Sequence, residues 1–363
     1  MRLKVGGLGS TESVLVTGGA GFIGSHAAEH FARNGFKVIV LDNLSRARNL
    51  KSAIKTETIS TYNWNYLKRI KNIKMIEGDI RDIKVIERIV RKVDNIIHSA
   101  AQVAVTTSLL DPRTDFEVNV LGTLNILEAA RKSKRKPAVI FCSTNKVYGK
   151  NVDKIPIREE ETRYVVESRN YRRGVDEHLS VDLCEHTPYG CSKLAADIYV
   201  QDYGIRNEID TCVFRMSCIY GTRQFGCEDQ GWVSHFVIST IMHRPITIFG
   251  NGKQVRDILF VSDLVGAFEK FLDRRSYCSR NVYNIGGGSE NTISLLELLY
   301  RLEDLTGKKS VVSFKDFRPG DQKMYISDIS KAKRELGWRP EISVEEGIEA
   351  LVQWATSNVA LFT

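Results

Sequence analysis

A tyrosine and a lysine stand four residues apart in Tyr189-Gly-Cys-Ser-Lys193, at the start of a stretch, Cys191 to Tyr203, whose pattern predicts a helix. Four residues on a helix share a face. An ammonium near a phenol favours the phenolate and lowers its pKa, turning a poor base into a usable one near neutral pH. Taken alone the Y-x-x-x-K spacing is weak, because any surface helix can carry one. Its weight comes from what precedes it: a glycine-rich turn, an acidic strand end, and a strand that finishes in the hydroxyls of Ser143 and Thr144.

The turn lies in Val14-Leu-Val-Thr-Gly-Gly-Ala-Gly-Phe-Ile-Gly-Ser25, where the apolar run of a buried strand passes straight into a helix predicted from Phe22 to Arg33. Gly18, Gly21 and Gly24 lack the Cβ atoms that would keep a pyrophosphate from the backbone N–H groups at the helix start, so the joint reads as a dinucleotide cradle. A structural joint with no ligand could show the same glycines. The next strand, Lys37-Val-Ile-Val-Leu-Asp42, decides between them: its carboxylate comes 18 positions after Gly24, near the separation of about 20 at which an acidic residue binds the adenine ribose. A carboxylate there repels a 2′-phosphate and favours NAD; Arg46 and Arg48 weaken that preference slightly.

These groups need a scaffold, and the chain supplies alternating strands and helices. A strand from Lys74 ends at an acidic pair, Asp79 and Asp82, before a helix from Ile83 to Lys92. Asp79 and Ile80 are placed to flank an adenine, and Asp79 could equally cap the helix. Another strand, Val93 to Ala101, ends in small residues that let a cofactor pass, and its His98 reads as buried. A long helix from Asp115 to Lys132 contains Asn119. At least four strand-helix alternations require parallel strands and right-handed crossovers, an α/β doubly wound sheet. Between Asn43 and Asn72 helical signs occur at Asn49–Lys55 and Trp64–Ile70, and Lys150 to Pro188 reads as a loop region over the site.

Composition excludes other classes. With 363 residues, 42% hydrophobic and 26% charged, the chain suits one large α/β unit with an appended lobe and needs no staples. No run approaches a membrane span and Met1 to Gly7 lacks the apolar core of a leader, so a cytoplasmic protein is expected. Seven cysteines without a C-x-x-C pair argue against a disulfide framework and against zinc, and no metal site is expected. The net charge of +8 is scattered. Its densest block, Arg131 to Lys136, sits at a helix end, so nucleic acid is a minor prospect and a small diphosphate ligand explains the arginines equally well.

Together, T-G-G-A-G-F-I-G, the Ser-Thr strand end and Y-x-x-x-K resemble the extended short-chain dehydrogenase/reductase superfamily of nucleotide-sugar epimerases and dehydratases. The likeness runs from about Val14 to Trp354. It implies an NAD-binding Rossmann domain, residues 12–218 with 256–287 returning to it, and a smaller α/β lobe, 219–255 and 288–357, for a nucleotide diphosphate sugar. It implies a catalytic trio in which Thr144 hydrogen-bonds the sugar hydroxyl, Tyr189 takes its proton, and Lys193 holds the nicotinamide ribose and tunes Tyr189.

Around the cofactor the resemblance places Gly18, Gly21, Phe22, Ile23 and Gly24 at the pyrophosphate, then Asp42, Asn43, Ser45 and Arg46. Asp79, Ile80, Ala100, Ala101 and Gln102 follow, and Asn119, Ser143, Tyr189, Lys193 and Met216 complete the set. Substrate contacts fall to Gln102, Thr106, Thr144, Asn145, Lys146 and Gln224, with Arg256 and Arg318 as diphosphate-binding arginines suited to two-pronged contacts. The 4,6-dehydratases carry Thr-Asp-Glu where this chain has Thr144-Asn145-Lys146, so redox without elimination remains. The segments Gln102–Ser108, Ser143–Gly149, His186–Lys193, Arg223–Phe225 and Asp229–Trp232 resemble the CDP-tyvelose (CDP-paratose) 2-epimerase subgroup. The family also suggests a homo-oligomer, a dimer or tetramer, through the helices after Asp115 and Cys191. Rival readings are a UDP-hexose 4-epimerase and a non-enzymatic NAD(H)-sensing protein, since fold alone does not fix function.

Overall fold

The computed structural model describes residues 12–46, 56–318 and 320–363, with the backbone alone for 56–60. The sequence expectations for Met1–Gly7, Arg48 and Asn49–Lys55 lie outside the described residues. In chain order the first half runs β1 (Ser13–Thr17), α1 (Phe22–Arg33), β2 (Lys37–Asp42), α2 (Thr56–Leu67), β3 (Ile73–Glu77), α3 (Ile83–Val90) and β4 (Asn95–His98). It continues through α4 (Val105–Leu110), α5 (Pro112–Phe116), α6 (Gly122–Lys132) and β5 (Ala138–Thr144). A hairpin, β6 (Ile157–Glu159) and β7 (Tyr164–Val166), precedes α7 (Pro188–Ile205), the longest helix among the described residues.

The second half comprises β8 (Thr211–Met216), β9 (Cys218–Tyr220), α8 (Trp232–Ile241), β10 (Ile246–Phe249), β11 (Val255–Phe260), α9 (Val261–Asp273) and β12 (Asn281–Ile285). Then come β13 (Thr292–Ser294), α10 (Leu295–Thr306), β14 (Val312–Lys315), β15 (Met324–Tyr325) and α11 (Val344–Ser357).

Seven parallel strands form the main sheet in the order β12-β8-β5-β4-β1-β2-β3. The strand order reverses between β1 and β4, and in such sheets ligands bind outside the carboxyl ends of the strands at that switch. Alternating side chains build the two faces. Val14 and Val16 of β1 and Ile140 and Cys142 of β5 pack with α1 and α9 on one side. Leu15, Val139 and Phe141 pack with α3, α6 and α7 on the other.

A second core belongs to the smaller lobe, where Phe236, Val237 and Ile241 of α8 meet Leu298 and Leu302 of α10 and Ile348 and Leu351 of α11. There β11 pairs with β9, β13 and β15, and β10 with β14. Thus β12 returns to the main sheet, while β11, which carries Arg256, belongs to the small sheet.

Two segments differ from the sequence reading. The helix expected over Asp115–Lys132 begins at Pro112 and contains one π-helical turn, Glu117–Leu121, which carries the buried Asn119. π-Turns of this kind recur at functional sites. Lys150–Pro188 is more ordered than a loop: a 3₁₀ segment, Asn145–Lys154, and the β6–β7 hairpin cover their own core of Tyr148, Val152, Val175 and Tyr325.

Candidate active site

At the switch point Gly18 leaves β1 with φ +66°, a conformation costly for any residue with a side chain. A Cβ there would stand 2.7 Å from the backbone of Ala100, just beyond β4. The chain therefore turns tightly into α1, whose N-cap, Gly21, offers no side-chain hydrogen bond. The first N–H groups of α1 are left for an anion. Asp42 ends β2 with its carboxylate accepting from the N–H of Ala20 at 2.9 Å and of Leu44 at 2.8 Å, and burial raises its pKa.

A cleft opens between these groups. Its wall contains Gly18, Gly21, Phe22, Ile23, Gly24, Asp42, Asn43, Ser45 and Arg46. Opposite stand Asp79, Ile80, Ala100, Ala101 and Gln102. Asp79 faces the cleft, ion-paired to Arg81 at 2.9 Å and accepting from Asn43 at 2.8 Å, contacts that hold its pKa down at about 2. The helix cap is Asp82, which accepts from the N–H groups of Lys84 and Val85.

Nine further residues line the wall that the sequence reading did not place at the cofactor, among them Val103, Thr114, Val118 and Gln230. Thr114 and Val118 are uncharged and follow no motif, whereas Val103 and Gln230 fall in the segments Gln102–Ser108 and Asp229–Trp232 that carry the resemblance, without having been assigned to the cofactor.

The other cofactor candidates are set outside this wall. Asn119 points into the protein, donating to the carbonyl of Gln102 at 3.1 Å and to Ser192 at 3.0 Å while accepting from the Gln102 N–H. It anchors the cleft loop to α7. The Gln102 side chain is itself held by Ala104 and Asp115. Ser143, expected at the cofactor, instead donates to Asp197 at 2.7 Å, because its strand position faces α7. Met216 ends β8 in register with Thr144.

The trio lies where β5 and α7 meet. Thr187 caps α7 and Pro188 opens it, which starts the helix one residue before Tyr189. Tyr189, Ser192, Lys193, Ala196, Asp197 and Val200 are all buried along one stripe. Thr144 is the last residue of β5, and its hydroxyl lies on the side of the Tyr189 phenol and acts to lower the phenol's pKa. The Tyr189 N–H donates to Ser108 of α4, the helix that also carries Thr106.

The electrostatics correct one expectation. Lys193 Nζ donates to the carbonyl of Cys142 at 2.6 Å and sits 4.0 Å from the centre of the Phe141 ring. Burial outweighs any help to the phenol: it pushes Tyr189 up to about 12, with the Thr144 hydroxyl opposing, and Lys193 down to about 8. Tyr189 is thus not a pre-formed phenolate. His98 is a structural group, bonded to Thr17 at 2.7 Å and Thr123 at 3.0 Å and pushed down to about 3 by burial.

The expected substrate residues gather at the small lobe. Lys146 Nζ donates to the carbonyl of Gly320 at 3.0 Å, and burial with the nearby Arg256 brings its pKa down to about 8. Asn145 accepts from Thr144. Arg256 faces Asp321 at 3.5 Å, and Arg318 binds Glu228 at 2.7 Å and lies 3.6 Å over the Phe249 ring. Both arginines are held by carboxylates, which keeps the guanidiniums ordered. Gln224 donates to the carbonyl of Ile219 at 3.2 Å, and its buried Oε1 has no partner among the described residues. No cluster of metal-ligating side chains occurs among the described residues.

The family model described as GDP-mannose 4,6 dehydratase matches residues 15–351. A curated relative, CDP-paratose 2-epimerase of Salmonella typhi, is 40% identical over 352 residues, 95% of this chain and 99% of that protein. Among solved structures, UDP-glucose 4-epimerase of Thermotoga maritima, with UDP-glucose, superposes with a TM-score of 0.78 at 29% identity, covering 96% of this chain and 99% of that one. UDP-glucose 4-epimerase of Thermus thermophilus, in complex with NAD, gives 0.74 at 30% identity over 94% and 98%. The match along almost the whole chain, on a sheet whose switch point carries the glycine cradle, means that this chain belongs to the NAD-dependent nucleotide-sugar epimerase and dehydratase family of the short-chain dehydrogenase/reductase type.

Proposed function

We propose that the chain interconverts CDP-paratose and CDP-tyvelose by inverting carbon 2 of the sugar. The observation that carries this reading is the 40% identity with CDP-paratose 2-epimerase across 95% of the chain. Asn145 and Lys146 support it, since neither supplies the acidic side chain that elimination of water requires.

NAD fits the cradle: Gly18 and Gly21 would admit its pyrophosphate at the uncapped start of α1, and Asp42 would take the adenine ribose. When bound it supplies a reversible two-electron acceptor for a carbinol carbon. The chain's own residues do the rest. Tyr189 accepts the proton of the sugar 2-hydroxyl and later returns it, and Thr144, at the end of β5 beside it, orients that hydroxyl. Lys193, buried one helical turn away, is the cation that stabilises the phenolate once its ammonium is drawn from Cys142.

Residues 12–218, with the return expected over 256–287 made by β12, form the cofactor side in this reading, and 219–255 and 288–357, joined by Arg256 on β11, hold the nucleotide. Arg256 and Arg318 grip the diphosphate while the 2-keto sugar turns. The exposed apolar side chains Leu110, Phe116 and Ile198 on α4, α5 and α7 would meet a second copy in a homo-oligomer. The setting proposed is the cytoplasm; no helix among the described residues is long and apolar enough to cross a membrane.

The likeness to the Thermotoga maritima UDP-glucose 4-epimerase favours a second reading, inversion at C4 of a UDP-hexose. Incubation of the purified protein and NAD with CDP-paratose, CDP-tyvelose, UDP-glucose and UDP-galactose, each followed by NMR of the ring protons, separates the two. Turnover of the CDP-sugars supports inversion at C2, and turnover of the UDP-sugars alone overturns it.

A further inference from the structure

The loop between β9 and α8, residues 222–231, is held from both sides. From the cofactor side, His26 of α1 bonds the carbonyl of Thr222 at 2.8 Å, and Glu29 pairs with Arg223 at 2.5 Å. Asn63 of α2 reaches both the carbonyl of Gly21, in the glycine cradle, and that of Arg223, each at 3.5 Å. Arg46, in the cofactor cleft wall, donates to the carbonyl of Phe225 at 3.2 Å and to Gln230 at 3.5 Å. From the small lobe, Arg318 donates to Glu228 through its carbonyl at 3.0 Å and its carboxylate at 2.7 Å.

Two further observations mark this junction as more than packing. Arg223 sits at φ +60°, a strained conformation for a residue with a side chain, and is kept there by Glu29 and by the Tyr66 ring, 4.3 Å away. The next residue, Gln224, is 6% exposed and holds its unpartnered Oε1 inside. An unmet acceptor of this kind costs about 1–3 kcal/mol unless a ligand or water satisfies it. One end of the loop thus carries a buried, unpartnered acceptor, and the other end, Gln230, walls the cofactor cleft.

We propose that the 222–231 loop positions the nucleotide-sugar pocket against the cofactor cleft, with Asn63 and Arg46 as its positioning residues. This gives α2, in the segment between β2 and β3, a role: it is the brace that fixes where Gln224 stands. The inference rests on the reading that the small lobe takes a nucleoside diphosphate.

Calorimetric titration of CDP and, separately, UDP into the purified protein with saturating NAD tests it on wild type, Asn63→Ala and Arg46→Lys. Asn63→Ala is expected to raise the Kd of the preferred nucleoside diphosphate about tenfold, equivalent to about 1.4 kcal/mol. For Asn63→Ala the Kd of NAD and kcat should stay within about twofold, with KM for the sugar rising in step. Arg46→Lys, which keeps the charge but loses donors, should weaken the nucleoside diphosphate to a smaller degree. A merely structural contact would lower Tm and the active fraction while leaving the Kd of the folded protein unchanged. Wild type that binds while both variants bind equally tightly overturns the clasp alone. Wild type that binds neither CDP nor UDP overturns the functional reading and the clasp with it.

Discussion

The carboxylate of Asp197 takes the guanidinium of Arg215 in two hydrogen bonds, 3.0 Å from Nε and 3.2 Å from Nη2, with both side chains buried. Asp197 lies one turn beyond Lys193 on the same stripe of α7, and it also accepts from Ser143, the neighbour of Thr144. Arg215 in turn donates to the Tyr148 hydroxyl, which is bonded to Asn284 of β12. One charge pair therefore ties α7, β5, β8 and β12 together beneath the trio.

Removing half of that pair leaves an unpaired buried charge, which typically costs about 3–5 kcal/mol. Asp197→Ala should lower stability by that order in urea unfolding and reduce kcat, because the strand end bearing Thr144 loses its anchor. An unchanged Tm would contradict the role given to the pair.

Tyr189→Phe deletes the proton acceptor and almost nothing else, since the ring stays packed. Turnover should fall at least about 10²-fold, the lower range for general-base loss, with circular dichroism and Tm unchanged. Full turnover by the variant would remove Tyr189 from the chemistry.

Gly18→Ala drives a Cβ into the backbone of Ala100 at 2.7 Å and forces a side chain onto φ +66°. NAD affinity, read by calorimetry, should drop by more than about tenfold, and stability should fall as well, by about 1 kcal/mol or more for the strained backbone. Wild-type NAD binding in this variant would mean that the cradle lies elsewhere.

Lys193 links stability to pH. Its pKa is about 8 in the fold against 10.5 for the free side chain, lowered chiefly by burial. Between those values the unfolded chain binds more protons than the folded one, so this residue's contribution to stability rises with pH across that window. The advantage of Lys193→Met over wild type should therefore shrink from pH 7.5 to pH 10 in paired urea unfolding curves. A difference that stays flat across that range would show that Lys193 is not buried as a strained cation.

Much of this arrangement was legible in spacing. The glycines, Asp42 and the Tyr189–Lys193 pair are local signals, each read within one strand-turn-helix unit, and the order of alternating elements required the parallel sheet. The pKa of Tyr189 was not legible, because it depends on burial and on where the Lys193 ammonium points, and both are set by β5 rather than by α7. Ser143 and Asn119 were assigned by motif alone; the side each faces follows from strand phase and from the π-turn. Asp197 could have been found, as it repeats the four-residue step from Lys193. Gln230 was singled out only as part of Asp229–Trp232, and its place in the cleft was not legible, because the contact that brings it there spans 184 residues from Arg46.

The most direct test of the central claim uses CDP-paratose labelled with deuterium at sugar C2, incubated with the protein and NAD in ordinary water and followed by NMR. Transient oxidation at C2 with return to the same carbon predicts CDP-tyvelose that retains the deuterium at an inverted C2. Loss of the label to solvent, or inversion at C4 with C2 untouched, would contradict it.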